Sequence, residues 1–333
     1  MGWRLSQEWA RDPFDRPSAR WYNAVMNVLR GLASGLLVIL SLSCGGSASA
    51  PPPDSADPAL VAEVEAWRAQ RLARLTSEDG WLTLVGLDWL APGANLVGAG
   101  PGFRVTLPAG VAPGAVANLE LRPDGTVRLE PVEGGGLTVN DQPATARVLA
   151  TDASGTPDMM AVGRVRFHLI ARGERIGVRV RDPEATTRTA FPGLEHYPVD
   201  PSWRLVARFE AYPEPRPVAI PTVLGTEDLM LAPGLLHFEA AGQAVTLEPY
   251  VQSPEDEQLF LIFRDATSGD DTYGAGRFLY APRAADGTTV LDFNRAYSPP
   301  CAFTPYATCP LPPPGNWLEI AVTAGEQHRG SHH

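Results

Sequence analysis

Apolar residues return every three or four positions across residues 58–77. Leu60, Val61, Val64, Trp67, Leu72 and Leu75 mark one face, and Glu63, Glu65, Arg68, Arg71 and Arg74 mark the others. That period predicts an amphipathic helix. Beyond it the period falls to two, which places successive side chains on opposite faces of a strand. Residues 104–107, 118–122 and 126–130 predict strands, with Asp124-Gly125 as a hairpin turn between the last two. Residues 164–172 and 175–181 predict a second hairpin across Gly173-Glu174. After a linker at 191–197, strands are expected at 203–212, 218–224, 235–240, 244–249, 258–264, 276–280, 288–293 and 317–322. The expected fold is mainly β: an N-terminal helix and a first β-sandwich over 58–190, then a second β-sandwich or barrel-like unit over 191–326, with a tail at 327–333.

The first fifty residues read differently. Residues 1–25 are polar and lack apolar periodicity, and are taken as an upstream extension ahead of the true start at Met26. Residues 26–50 have the positive, apolar and small-residue order of a secretory signal, and 51–57 form a linker. The apolar run from Gly31 to Leu42 is too short to span a bilayer. Cys44 is a candidate lipidation site, and cleavage after Ala50 is the competing outcome. The expected location is therefore exported, either membrane-anchored through lipid or periplasmic or secreted.

Composition narrows the partners. The chain has 333 residues, 32 Gly, 33 Pro and a formal net charge of −11, and all of its basic residues are Arg or His. Many turns and few long helices follow. An acidic chain without a basic stripe disfavours nucleic acid and anionic membrane surfaces. The expected partner is a small polar or carbohydrate ligand, with membrane contact only through the lipid anchor. No motif points to a cofactor.

The densest chemistry lies in residues 292–316, where seven prolines separate an Asp, two Asn, two Tyr, two Thr and two Cys. A loop so stiff and so polar is either a built site or a locked plug. In an oxidising compartment Cys301 and Cys309 predict a disulfide. The stretch resembles the core signature of DUF1684, a bacterial family of unknown function. Residues 80–90, Arg181-Asp182, 263–267 and 272–279 fit the same family, so the resemblance is expected to run from Glu63 to Glu326. It implies no reaction.

A second resemblance covers 92–182. Leu96-Val97-Gly98 and the turn at 137–142 are similar to a forkhead-associated β-sandwich, but Ala99 stands where that fold carries its phosphate-binding Arg, so no phosphopeptide site is expected.

Candidate catalytic residues are Asp292, Arg277, Asn294 and Tyr297. Asp292 would be an acid/base on a strand next to that of Arg277, with the other three positioning substrate. The plain alternative is a structural Arg–Asp ion pair. Candidate ligand-binding residues are Arg264, Tyr273, Thr304, Tyr306 and Asn316, with Tyr297, Phe303, Tyr306 and Trp317 as stacking faces. Asp265, Asp270 and Asp271 could form a Ca²⁺ cage, but a solvated turn is the simpler reading and no metal is expected. No His pair has ligand spacing. Three functions remain open: a binder of a small polar ligand, a hydrolase or lyase, and a structural envelope protein.

Overall fold

The computed structural model describes residues 57–329, apart from 113, 284 and 285. The expected signal segment, Cys44 and the end of the His-containing tail lie outside the described residues. Among those described, no helix is long and apolar enough to cross a membrane.

The expected helix is α1 (Pro58–Leu75), started by Asp57, whose carboxylate accepts the Ala59 N–H at 2.9 Å, and by Pro58 in the first turn. A short turn at 81–83 leads into β1 (Leu84–Trp89), β2 (Gly93–Ala99), β3 (Val105–Leu107), β4 (Ala115–Leu121), β5 (Val127–Pro131), β6 (Thr138–Val139), β7 (Gln142–Pro143), β8 (Arg147–Leu149), β9 (Met160–Val162), β10 (Val165–Arg172) and β11 (Arg175–Arg181). These strands form two sheets, ordered β1-β11-β10-β9-β6-β7 and β3-β2-β4-β5-β8. Val97, Leu119 and Leu129 from one sheet meet Phe167, Leu169 and Val178 from the other in a single apolar core. Both expected hairpins are present, β4–β5 and β10–β11. The turn at Asn140-Asp141 has positive φ at both positions, 51° and 62°, as a two-residue hairpin turn requires.

After α2 (Thr186–Thr189) come β12 (Glu195–His196), β13 (Arg204–Pro221), β14 (Glu227–Ala240), β15 (Gln243–Leu247), β16 (Gln258–Phe263), β17 (Arg277–Pro282), β18 (Thr288–Asp292) and β19 (Glu326–Gln327). The sheet β15-β14-β13-β18 covers the β16–β17 hairpin through a second core that includes Leu236, Phe238, Leu261, Phe263, Leu279 and Phe293. The described strands close no barrel.

Four local expectations change. The separate strand at 218–224 is the continuation of β13. Its register slips between Ala211 and Arg216, which takes Pro213 and Pro215 out of the ladder. The strand expected at 235–240 starts earlier, as β14. Residues 191–197 are more than a linker, because His196 pairs with Glu326 across β12–β19. Residues 317–322 are not a strand. They meet the facing chain only at separate points, where the Leu318 N–H donates to the Arg264 carbonyl and the Ile320 carbonyl accepts the Ala266 N–H.

Candidate functional site

The polar residues of 292–316 lie at separate tie-points. Asp292 Oδ1 caps the turn at 293–295 and accepts the Asn294 N–H at 3.2 Å and Asn294 Nδ2 at 3.0 Å. Asn294 also donates to the Asp200 carbonyl and accepts the Asp200 N–H, both at 2.9 Å. Asn316 does the same for Glu248, at 2.9 Å each way, and donates to the Ile262 carbonyl at 3.0 Å. A primary amide carries one acceptor and two donors, so it can replace a missing strand partner. Thr304 is buried and accepts the Tyr306 N–H.

Arg277 does not meet Asp292, contrary to the neighbouring-strand expectation. It is fully buried and donates to Asp265 Oδ2 at 2.8 Å and to the Val322 carbonyl at 2.9 Å, with the Ala324 carbonyl as a further acceptor. Asp292 Oδ2 instead lies 3.4 Å from Arg295 and 4.0 Å from Arg204. Asp265 is occupied on both oxygens, since Oδ1 accepts from Thr267 and from the Val322 N–H. Asp271 bonds Tyr197 and Arg329, so the three aspartates do not converge as a cation cage. Tyr273 donates to the Cys301 carbonyl at 3.2 Å. Arg264 is exposed and lies over the ring of exposed Trp317, 5.6 Å from its centre.

Cys301 and Cys309 form the expected disulfide, with Cα atoms 6.2 Å apart. It fixes a loop that touches both halves of the molecule. Thr308 Oγ1 accepts from Arg172 at 3.2 Å and Arg179 at 3.3 Å, both on the first pair of sheets. The Val223 N–H donates to Cys309 and the Leu311 N–H donates to Pro221, which holds the far end of the β13–β14 hairpin. Arg172 also meets buried Asp152 at 2.7 Å. Asp228 lies nearby on β14. Burial pushes its carboxyl above the usual carboxylate range, with Arg172 pulling it down and Asp152 adding to the rise.

Around this loop the structure builds a third apolar cluster. Ile220, Met230, Tyr250, Phe260, Phe278, Tyr297 and Cys309 are buried in it, and half-exposed Trp67, Trp81, Tyr212, Tyr280 and Cys301 pack at its edge. The arginines of α1 reach the same region at three-residue spacing. Arg68 donates to the Tyr197 carbonyl at 2.9 Å. Arg71 meets Glu326 at 2.9 Å, donates to the Ser298 carbonyl and lies 4.7 Å from the centre of the Tyr297 ring. Arg74 is half-buried; burial pushes its guanidinium down, while nearby Tyr297, Tyr280 and Asp79 raise it. Gly80 lets the chain turn tightly under the end of α1: a Cβ there would fall 2.6 Å from the Arg74 carbonyl oxygen. Trp81 follows at once, with the guanidinium groups of Arg179 and Arg181 at 5.4 and 5.6 Å from its ring centre.

Of the residues singled out in the sequence, Tyr297 and the two cysteines come together here, and Tyr273 is tied to them through the Cys301 carbonyl. Asp292, Asn294, Arg277, Arg264 and Asn316 have their partners elsewhere. Trp67, Arg74, Trp81 and Tyr280 were not foreseen. Their signal was the Arg68, Arg71, Arg74 spacing, which on an amphipathic helix reads equally well as a solvated face.

Residues 189–327 match the model of DUF1684, described as a protein of unknown function, and the chain belongs to that family. The match takes in β12 to β19 and the whole loop, and begins well after the expected Glu63. A solution NMR structure of an uncharacterised protein from Haloarcula marismortui is 37% identical, over 44% of this chain and 81% of that one, with a TM-score of 0.38. No curated protein matches.

Proposed function

We propose that this DUF1684 protein binds a small polar ligand at the aromatic junction beside the disulfide loop. The supporting observation is the convergence of half-exposed Trp67, Trp81 and Tyr280 with Tyr297 and the Arg74 guanidinium, from α1, the turn after it, β17 and the loop. Flat rings with one charged group give both contact area and orientation, the usual make-up of a small-molecule site. Residues that are fully buried, such as Arg172 and Arg179, act behind it by fixing Thr308. An exported location belongs to the same reading, since a disulfide suits an oxidising compartment.

A hydrolase or lyase with Asp292 as acid/base is the second reading. It is favoured by Asp292 Oδ2, which is buried and makes no hydrogen bond. One experiment separates them. The protein is incubated with a small-molecule extract and examined by native mass spectrometry, while the extract is searched for consumed masses. Binding at the junction predicts an adduct that Tyr280→Ala removes and Asp292→Asn keeps. Turnover lost in Asp292→Asn favours the enzyme. Neither adduct nor turnover leaves the loop as a structural plug.

A further inference from the structure

We infer that the Trp317–Arg264 pair, outside the junction, is a platform for one pyranose unit of a neutral polysaccharide chain. Of the large apolar side chains exposed among the described residues, Trp317 is the aromatic one, at 54% exposure. An indole is usually well buried, because it carries a large apolar area. This one is held outward by a rigid frame. Its Nε1–H donates to the Pro312 carbonyl at 3.0 Å, and its backbone N–H donates to the Pro314 carbonyl at 3.2 Å. Asn316, the residue before it, is 1% exposed and is bonded to both backbone groups of Glu248 and to the Ile262 carbonyl.

The same frame sets Arg264 beside the ring. Its N–H donates to the Asn316 carbonyl at 3.0 Å, and its carbonyl accepts the Leu318 N–H at 2.7 Å. The two bonds bracket Trp317, so the two side chains leave a parallel bridge on the same side. The guanidinium of Arg264 lies 5.6 Å from the ring centre, and among the described residues no hydrogen bond or ion pair engages it. Arg216, which lies over Tyr212 in a similar way, is bound by Glu248. The indole N–H is already bonded, so the ring offers its faces, and the donors come from Arg264. A pyranose with equatorial hydroxyls matches both. Its axial C–H bonds form an apolar face that packs on an aromatic plane, and its rim hydroxyls accept from a guanidinium. At its exposure the ring sits on an open surface, whereas a small ligand needs a cleft to bury most of its area. A polymer does not, since further units add contacts along the chain. The net charge of −11 disfavours a polyanionic chain.

The test titrates cellohexaose, a neutral chain with equatorial hydroxyls, and hexagalacturonate, an acidic one, calorimetrically into the full protein. Cellohexaose is expected to bind, and Trp317→Ala should weaken it by about tenfold or more, the scale of truncating a stacking ring. Trp317→Phe should keep part of the affinity, and Arg264→Gln should lower it several-fold. Tyr280→Ala, at the junction, should leave cellohexaose binding unchanged, so the platform and the junction stand or fall separately. Melting temperatures check that each variant is folded, and Arg264→Gln, an exposed change, carries the test if Trp317→Ala is not. Hexagalacturonate binding more tightly than cellohexaose overturns the neutral class. Cellohexaose binding that neither Trp317→Ala nor Arg264→Gln weakens overturns the platform. Absence of cellohexaose binding at millimolar concentration overturns the inference, and self-association in sedimentation that Trp317→Ala abolishes would then assign the pair to a protein contact.

Discussion

Arg277 brings a full charge to a place with no exposed surface; its surroundings answer both terminal nitrogens of the guanidinium, while its buried Nε has no hydrogen-bond partner among the described residues. Asp265 balances the charge, and the carbonyls of Val322, Ala324 and, at 3.4 Å, Glu326 take further N–H groups. Removing one partner strands the other, so Arg277→Met should lower unfolding free energy by about 3–5 kcal/mol. Arg277→Lys should rescue little, because an ammonium lacks the fork that reaches several carbonyls. Urea denaturation measures both, and a loss below about 1 kcal/mol in Arg277→Met would show that the pair is not part of the frame. The sequence marked Arg277 as notable and gave it the wrong carboxylate. Alternation tells which face a strand residue occupies, but not which segment is folded against that face. Asp265 and the 322–326 segment arrive through tertiary contacts that no local period records.

At the scale of elements, long periodic segments were legible and short ones were not. α1, β4, β5, β10 and β11 stand where the patterns put them. β12 and β19 have two residues each, too few for any period, yet they tie the 195–197 segment to the end of the described chain. β13 unites the strands expected at 203–212 and 218–224; it continues through its prolines because the register shift removes two of them from the ladder, and because the β18 ladder on its other side ends at Arg208. The β12–β19 tether should sense pH through His196. Burial pushes its imidazole below the usual value of 6.5; Glu326 raises it, Arg68 lowers it, Glu65 raises it and Arg71 lowers it. Below about 6.5 the unfolded chain then holds more protons than the folded one. The stabilisation is therefore complete above that value and declines as pH falls toward the folded value. Melting temperature should drop between pH 7.5 and 5.5 in the wild type and drop less in His196→Gln; equal slopes in the two would remove His196 from the account.

The described residues are organised around three cores, and only the first two follow from strand patterns. The third joins residues from the helix, the β13–β14 and β16–β17 hairpins and the loop, so no single stretch of sequence announces it. What the sequence did announce is its fastening, the Cys301–Cys309 pair. Through Thr308 that loop receives Arg172 and Arg179, and through Cys309 and Leu311 it grips residues 221–223. So short a closed loop contributes about 2–3 kcal/mol in the chain-entropy model, and its larger effect should be local order. We propose that the protein meets an oxidising compartment, where the pair closes. Thiol labelling of the full chain in intact cells should then find Cys301 and Cys309 blocked. Reduction of the purified protein by a dithiol should speed hydrogen exchange at 300–311 and 221–223, where the loop's own bonds are lost. Amides of β4 and β10 should keep their protection, since their core is built from the first two sheets alone. Two reactive thiols in the unreduced protein would end both the closed loop and the oxidising location. Exchange that rises equally in β4 and β10 would mean that the loop holds the entire fold rather than the junction.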